Sequence, residues 1–224
     1  TTEIYTLSLH DALPILRTGS MPGDLQALWQ AKSDQQYHVE YAFSTMGYEV
    51  PAGLGVKLAR PDAEVVAIVG DGTYQMLPME LATVTQEGIK VIYVLLENHG
   101  FASIGALSES HGSQRFGTRY RAGGGNPHNE DGELISVDIA KNAESWGLDV
   151  LRVKTIADFR AAYEKAHASD KATMIYIETD LYGPNPPASS WWDVVVAEES
   201  RLDSTKKARE EYVAYRDKYQ RHYL

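Results

Sequence analysis

The chain has 224 residues, 43% of them hydrophobic, enough for one large domain with a packed core. Its formal net charge of −10 argues against a nucleic-acid binder, whose phosphate contacts need clustered Lys and Arg. The absence of cysteine excludes disulfides, thiol catalysis and Cys-ligated metal centres and is compatible with the cytoplasm, and no apolar run is long enough to span a bilayer.

The first residues, TTEIYTLSLHDALPI, lack the basic start and small-residue cleavage site of a signal peptide and show no clear period. They look like translated sequencing-adapter sequence, so residues 1–16 are expected to be a non-native leader outside the fold. Leu25, Leu28 and Trp29 follow Asp24 at helical spacing, which predicts a short amphipathic helix over 22–32. Residues 37–43 read as a short strand or loop entry and 44–48 as a turn. Residues 51–60 read as a helix whose Ala52, Gly53, Gly55 and Ala59 allow close packing on a sheet.

The run 65–69 is apolar throughout, as in a strand buried on both faces of a parallel sheet. It ends in Gly70-Asp71-Gly72. Pro78 suits a first helical position, and Gly88 suits the C-terminal cap after Glu87. The next strand, 91–96, ends in Asn98-His99-Gly100. Residues 99–136 are polar and glycine-rich, with Gly123-Gly124-Gly125-Asn126-Pro127, and read as one long loop, a length that is usually functional or mobile.

Helix 139–146, strand 150–153, helix 156–169 and strand 173–178 follow. The β-α alternation implies an α/β fold: a doubly wound, mainly parallel sheet with helices on both faces and right-handed crossovers. Residues 182–190 form a Pro-rich connection. Residues 200–224 read as a charged helical tail with Tyr212, Tyr215, Tyr219 and Tyr223 on one stripe, which in the plainest reading docks on the body. The expected division is 17–181 for the body and 182–224 for the connection and C-terminal helix.

Two strands thus end in oxygen ligands. In open α/β sheets, ligands gather outside the C-terminal strand ends, where Asp71 and Asn98 would both lie. Mg²⁺ takes about six hard oxygens in octahedral array. The Asp71 and Asn98 side chains, a backbone carbonyl near Gly100, two diphosphate oxygens and a water would supply them. Gly70 and Gly72 let a phosphate approach the backbone, and N–H groups near Gly72 and Thr73 favour an anion. Gly-Asp-Gly alone is a weak signal that any strand-to-helix turn explains. Gly-Asp-Gly, then the 25 residues 73–97, then Asn after a second strand is a much stronger one.

That spacing resembles the motif of thiamine-diphosphate-dependent enzymes. Residues 43–55, FSTMGYEVPAGLG, resemble the cofactor-binding segment of the decarboxylase and acetohydroxyacid synthase superfamily. The resemblance implies that Met46 wedges between the cofactor's two rings and holds it bent, with ordinary core packing as the alternative. It implies that the Ser44 carbonyl accepts from the aminopyrimidine. Residues 70–121, with Asn98-His99 where other members have Asn-Asn, and residues 187–194, PASSWWDV, are similar to the branch of cyclic-diketone hydrolases in inositol catabolism.

The likeness covers roughly 17–224, the C-terminal, diphosphate-binding part of a longer enzyme. It implies thiamine diphosphate and Mg²⁺ as cofactors, with Asp71, Asn98 and Gly100 on the metal and Ser44, Met46, Gly70, Gly72 and Thr73 on the cofactor. It implies hydrolytic C–C opening of a cyclic polyol-diketone, with the cofactor as electron sink. The family's activating glutamate belongs to an N-terminal catalytic domain, usually from a partner subunit, and Glu49, Glu80 and Glu97 do not match it by motif. A homodimer or homotetramer is expected, and the chain alone should bind cofactor weakly and not turn over.

His99 borders the metal site and is either catalytic or structural. His111 and His128 read as loop residues. Arg115, Arg119 and Arg121 read as solvated charge, a subunit contact or a grip on a polyol. Two alternatives stand beside this reading: an acetohydroxyacid-synthase-like decarboxylase or carboligase, and a non-catalytic α/β binding domain.

Overall fold

The structure, a computed structural model, describes residues 12–17 (as backbone), 25, 28–33, 36–40, 42–123, 132–135, 137–180 and 194–219. The strands are β1 Ala12–Arg17, β2 His38–Glu40, β3 Glu64–Gly70, β4 Ile92–Glu97, β5 Asp149–Val153 and β6 Thr173–Glu178. They form one sheet in the order β2-β1-β3-β4-β6-β5, and every pairing is parallel. The helices are α1 Glu49–Ala59, α2 Asp71–Met76, α3 Glu80–Gln86, α4 Ala102–Ser110, α5 Ile139–Ser145, α6 Ile156–Ala168 and α7 Asp203–Tyr219.

Contacts divide the chain into two compact units, Thr1–Gly100 with Ser136–Gly183, and Phe101–Ile135 with Pro184–Leu224. The first unit holds the sheet. Its strands alternate between two separate cores. Val66, Ile68, Val94 and Leu96 face α6, through Phe159, Ala162 and Tyr163, and Leu25. Val65, Ala67, Val69, Tyr93 and Leu95 face α1, α2, α3 and α5, through Val50, Leu54, Tyr74, Leu81 and Ile139. Full burial of each such Val, Leu, Ile or Phe side chain stabilises the fold by about 1.5–3 kcal/mol, so helices on both faces follow directly from the unbroken apolar strands. Small residues let α1 lie close: a Cβ on Gly53 would stand 3.2 Å from Val91 Cγ1. Asp138 caps α5 by accepting Lys141 N–H, and a Thr155–Asp158 capping box opens α6.

Three expectations change. The segment read as a leader supplies β1, whose backbone pairs with both β2 and β3. Ala12-Leu13-Pro14-Ile15-Leu16 is apolar enough for an inner strand, but Pro14 has no N–H to give the ladder and hides the strand signal. Pro78 does not open a helix that runs to Glu87. Two short helices, α2 and α3, flank it, because a residue before proline is pushed out of the helical region, and Leu77 sits at φ −152°, ψ 67°. Gly88, at φ +61°, does cap α3. Ile89 N–H donates to Val84 O and Gly88 N–H to Thr85 O, the paired bonds of a Schellman cap.

The third change lies in the second unit, where α4 occupies the start of the segment read as a loop. Its serines and Gly105 mask the helical period. Gly105 is needed there, since a Cβ would stand 2.7 Å from Thr118 Oγ1. His111 Nδ1 lies 2.8 Å from Leu107 O at the end of this helix, and Arg115 pairs with Glu109 at 2.7 Å. Gly112, at φ +78°, accepts from Ser204 Oγ and Thr205 Oγ1 at 2.6 and 2.8 Å, which seats α7. The tyrosine stripe of α7 is not buried: Tyr215 and Tyr219 are about half exposed, with ring centroids 4.4 Å apart. Tyr223, His128, residues 124–127 and the Pro-rich connection 182–190 lie outside the described residues. Among those described, no helix is long and apolar enough to cross a membrane.

Candidate functional site

The strand order places β1 between β2 and β3. The chain leaves β1 to one side and returns on the other, which makes the C-terminal end of the sheet there a switch point. Asp71 opens α2 immediately beyond β3 and is 1% exposed. Its Oδ2 accepts the Gly100 N–H at 2.9 Å. The Asn98 side-chain amide stands 2.8 Å from Gly100 O and 3.2 Å from Asp71 Oδ1. With its nitrogen inward the amide donates to both. With its oxygen inward, three oxygens face one point. Neighbouring ligands of an octahedral Mg²⁺ at about 2.0–2.1 Å stand about 3 Å apart, and the 2.8 and 3.2 Å from the Asn98 amide to Gly100 O and Asp71 Oδ1 are close to that spacing.

A second acid lies beneath. Glu97, the last residue of β4, is also 1% exposed. Burial pushes its carboxyl up to about 7, with the Asp71 charge and an Asp71 hydrogen bond adding to the rise and His99 and Tyr176 opposing it. Burial likewise holds Asp71 above the ordinary carboxylate range, while the N–H groups of Gly100, Gly72 and Asn98 and the Glu97 carboxyl pull it back. Two buried carboxyls side by side resist double ionisation. A divalent cation against them would remove that resistance, so the donor set suits Mg²⁺ in charge as well as in spacing.

The sheet end is also where the backbone is strained. Among the described residues, the non-glycine residues with positive φ are Ser44, at +53°, and His99, at +60°. Glu40 fixes the first by accepting Phe43 and Thr45 N–H at 2.9 and 2.8 Å. His99 lies between Glu178, 2.7 Å from Nε2, and Glu97, 3.5 Å from Nδ1. Gly47, at φ +92°, would carry a Cβ only 2.8 Å from Leu77 Cβ. The turn with Ser44 and the half-buried Met46 is therefore seated on the far end of α2, a helix roughly 9 Å long with Asp71 at its start.

The structure thus brings Asp71, Asn98, His99 and Gly100 together. It sets Gly70, Gly72 and Thr73 around the same turn, the latter two buried, and places Ser44 and Met46 one short helix away. Sequence reading missed Glu40, Glu97 and Glu178 as site residues. A signal was present, since β2, β4 and β6 each close on a glutamate.

The family model described as thiamine pyrophosphate enzyme, C-terminal TPP binding domain, matches residues 17–177. The chain belongs to this family. Thiamine pyrophosphate is thiamine diphosphate. This chain is 39% identical over 213 residues to a 3D-(3,5/4)-trihydroxycyclohexane-1,2-dione hydrolase of Bacillus subtilis (strain 168), covering 94% of this chain and 32% of the relative. It is 41% identical over 208 residues to the protein of that name from Clostridium tetani (strain Massachusetts / E88), covering 93% and 32%. The chain therefore spans about a third of the length of these relatives. Among solved structures, the Rhodococcus jostii RHA1 thiamine diphosphate-dependent 4-hydroxybenzoylformate decarboxylase matches with a TM-score of 0.66 at 22% identity, over 80% of this chain and 32% of that one. At that identity the TPP-binding domain shares its fold with the decarboxylase, and no more than the fold is implied.

Proposed function

We propose that the chain is the cofactor-binding part of a cytoplasmic hydrolase that opens the ring of 3D-(3,5/4)-trihydroxycyclohexane-1,2-dione by C–C hydrolysis, yielding 5-deoxy-glucuronate. The observation that carries the cofactor reading is the meeting of the Asn98 side-chain amide with Gly100 O and Asp71 Oδ1 at 2.8 and 3.2 Å. The substrate reading leans on the two hydrolases that are 39% and 41% identical.

In this reading, Asp71 Oδ1, Asn98 Oδ1 and Gly100 O hold Mg²⁺, and the metal with the turn Gly70-Asp71-Gly72-Thr73 holds the diphosphate. The Ser44 carbonyl accepts from the aminopyrimidine, and Met46 presses between the rings. Bound there, thiamine diphosphate supplies an electron sink for cleavage of a bond next to a carbonyl. The protein's own work is to grip one end of the cofactor, bend it and keep its orientation fixed. The glutamate that activates the cofactor belongs to an N-terminal catalytic domain contributed across a homodimer or homotetramer. The relatives, about three times as long as the aligned part, leave room for such a domain. The chain by itself is therefore expected to show no ring opening.

The experiment is a substrate panel on the complete enzyme that carries this domain. Ring opening of the cyclic diketone that needs both thiamine diphosphate and Mg²⁺, and disappears in Asp71→Ala, is the expected result. Turnover of 2-oxo acids in its place would overturn the substrate. Full activity in Asp71→Ala, or ring opening by the 224-residue chain alone, would overturn the site assignment or the need for a second domain.

A further inference from the structure

We propose that Glu178 is a positioning residue for this cation site: through His99 it holds the Glu97–Gly100 turn in the conformation that brings Asn98 and Gly100 to Asp71. This rests on the metal-binding reading of those three residues.

The turn has a conformational problem. His99 sits at φ +60°, a region that residues other than glycine seldom occupy. A residue held there needs its surroundings to hold it. The surroundings come from the neighbouring strand. Glu97 and Glu178 are register partners across β4 and β6. Beyond that pair, β6 reaches over the end of β4. Thr179 donates to Glu97 O twice, from its N–H at 2.8 Å and its Oγ1 at 3.0 Å. Glu178 Oε1 meets His99 Nε2 at 2.7 Å. The other ring nitrogen faces Glu97 Oε1 at 3.5 Å, and Tyr176 O–H reaches Glu97 Oε2 at 3.4 Å.

The imidazole is thus gripped on both edges, while its two chain neighbours do the work at the site. Asn98 on one side and Gly100 on the other are the residues that meet Asp71. Anchoring His99 towards β6 fixes the direction of both. Glu178 itself is 65% exposed, so its part is contact with His99 rather than filling of a core.

The test pairs a loss with a rescue. Glu178→Ala removes the anchor, whereas Glu178→Gln keeps an oxygen that can accept from the imidazole. In the 224-residue chain, amide hydrogen exchange reads the turn directly, because Asp71 Oδ2 holds the Gly100 N–H. Glu178→Ala is expected to speed Gly100 exchange by at least about tenfold while Ile175, inside β6, is unchanged, and Glu178→Gln is expected to restore protection. In the complete enzyme, calorimetric titration with thiamine diphosphate and Mg²⁺ should show affinity about tenfold weaker in Glu178→Ala and close to wild type in Glu178→Gln. Unchanged Gly100 exchange in Glu178→Ala overturns the proposal, as does faster exchange with cofactor affinity intact. If Asp71→Ala leaves affinity intact, the metal reading falls and this proposal with it. Failure of Glu178→Ala alone leaves the metal reading standing.

Discussion

The two ends of β3 and β4 hold similar chemistry and finish it differently. At the N-terminal end, Glu64 accepts from Tyr163 O–H and pairs with His167. Lys57 donates to Pro61 O and Ala63 O at 2.7 and 2.6 Å, and Lys90 donates to His167 O at 2.5 Å. A hollow of about 210 Å³ lies among these residues, yet each of these charges is answered within the fold. At the C-terminal end, Asp71 and Glu97 are both 1% exposed and face one another. Among the described residues, His99 stands 3.5 Å from Glu97. Charge closure, rather than concavity, separates the two ends. A folded domain that keeps two buried acids together gives up stability for something else.

The sharpest way to break this contrast is Asp71→Ala. It should weaken thiamine diphosphate binding in the presence of Mg²⁺ by about 100-fold, measured by calorimetry on the complete enzyme. The same change should raise the Tm of the cofactor-free protein by about 2–4 °C, because one of two facing buried carboxyls is gone. A lower Tm would mean that the acid pair is part of what holds the fold together.

Glu64→Ala is the mirror experiment. Tyr163 and His167 lose their acceptor, so denaturant titration should show a loss of about 1–3 kcal/mol, while cofactor affinity stays within about twofold because the site is at the far end of the sheet. A large loss of affinity would erase the distinction between the two ends. Gly47→Ala should cost about 1–2 kcal/mol, from φ +92° and a Cβ 2.8 Å from Leu77 Cβ. Because that turn carries Ser44 and Met46, it should weaken cofactor binding too, unlike Glu64→Ala.

The last effect is a slope. Glu97 has its carboxyl raised by burial from 4.5 to about 7 in the folded chain. Below about 4.5 both folded and unfolded states hold the proton. Between there and about 7 the unfolded chain releases it and the folded chain keeps it, so this group makes stability fall as pH rises, levelling off above about 7. Denaturation midpoints of the cofactor-free chain across that window should fall less steeply in Glu97→Gln. An unchanged slope would place its source elsewhere.

The sheet and the first line of the site were legible in the sequence for one reason. Val65–Val69 and Ile92–Leu96 are apolar on both faces, and a strand of that kind has few alternatives. Asp71 and Asn98 close such strands, so their position followed from the strands. What stayed hidden depended on neighbours distant in the chain. Glu97 reads as one more charge after Leu96 until Asp71 is seen beside it. Glu178 means nothing for His99 until the register of β4 and β6 is known. The break at Pro78 is visible in the sequence, but proline suits the first position of a helix as well as a break before it. The helix α4 was missed because Gly105, which weakens a helix by its own propensity, is there for the closeness of Thr118.

The place of β1 has a further consequence. Parallel strands lie about 4.8 Å apart, so the loop after β2 and the acid after β3, with β1 between them, are separated by about 10 Å, and the loop after β4 by about 14 Å. The strand in the middle carries none of the proposed chemistry and acts as a gauge. In the proposed reading, a cofactor that touches both banks would be as long as that gap, with its diphosphate at one side and its aminopyrimidine at the other. Free diphosphate can reach only one bank. The sheet would then select its ligand by length before any side chain tests its identity.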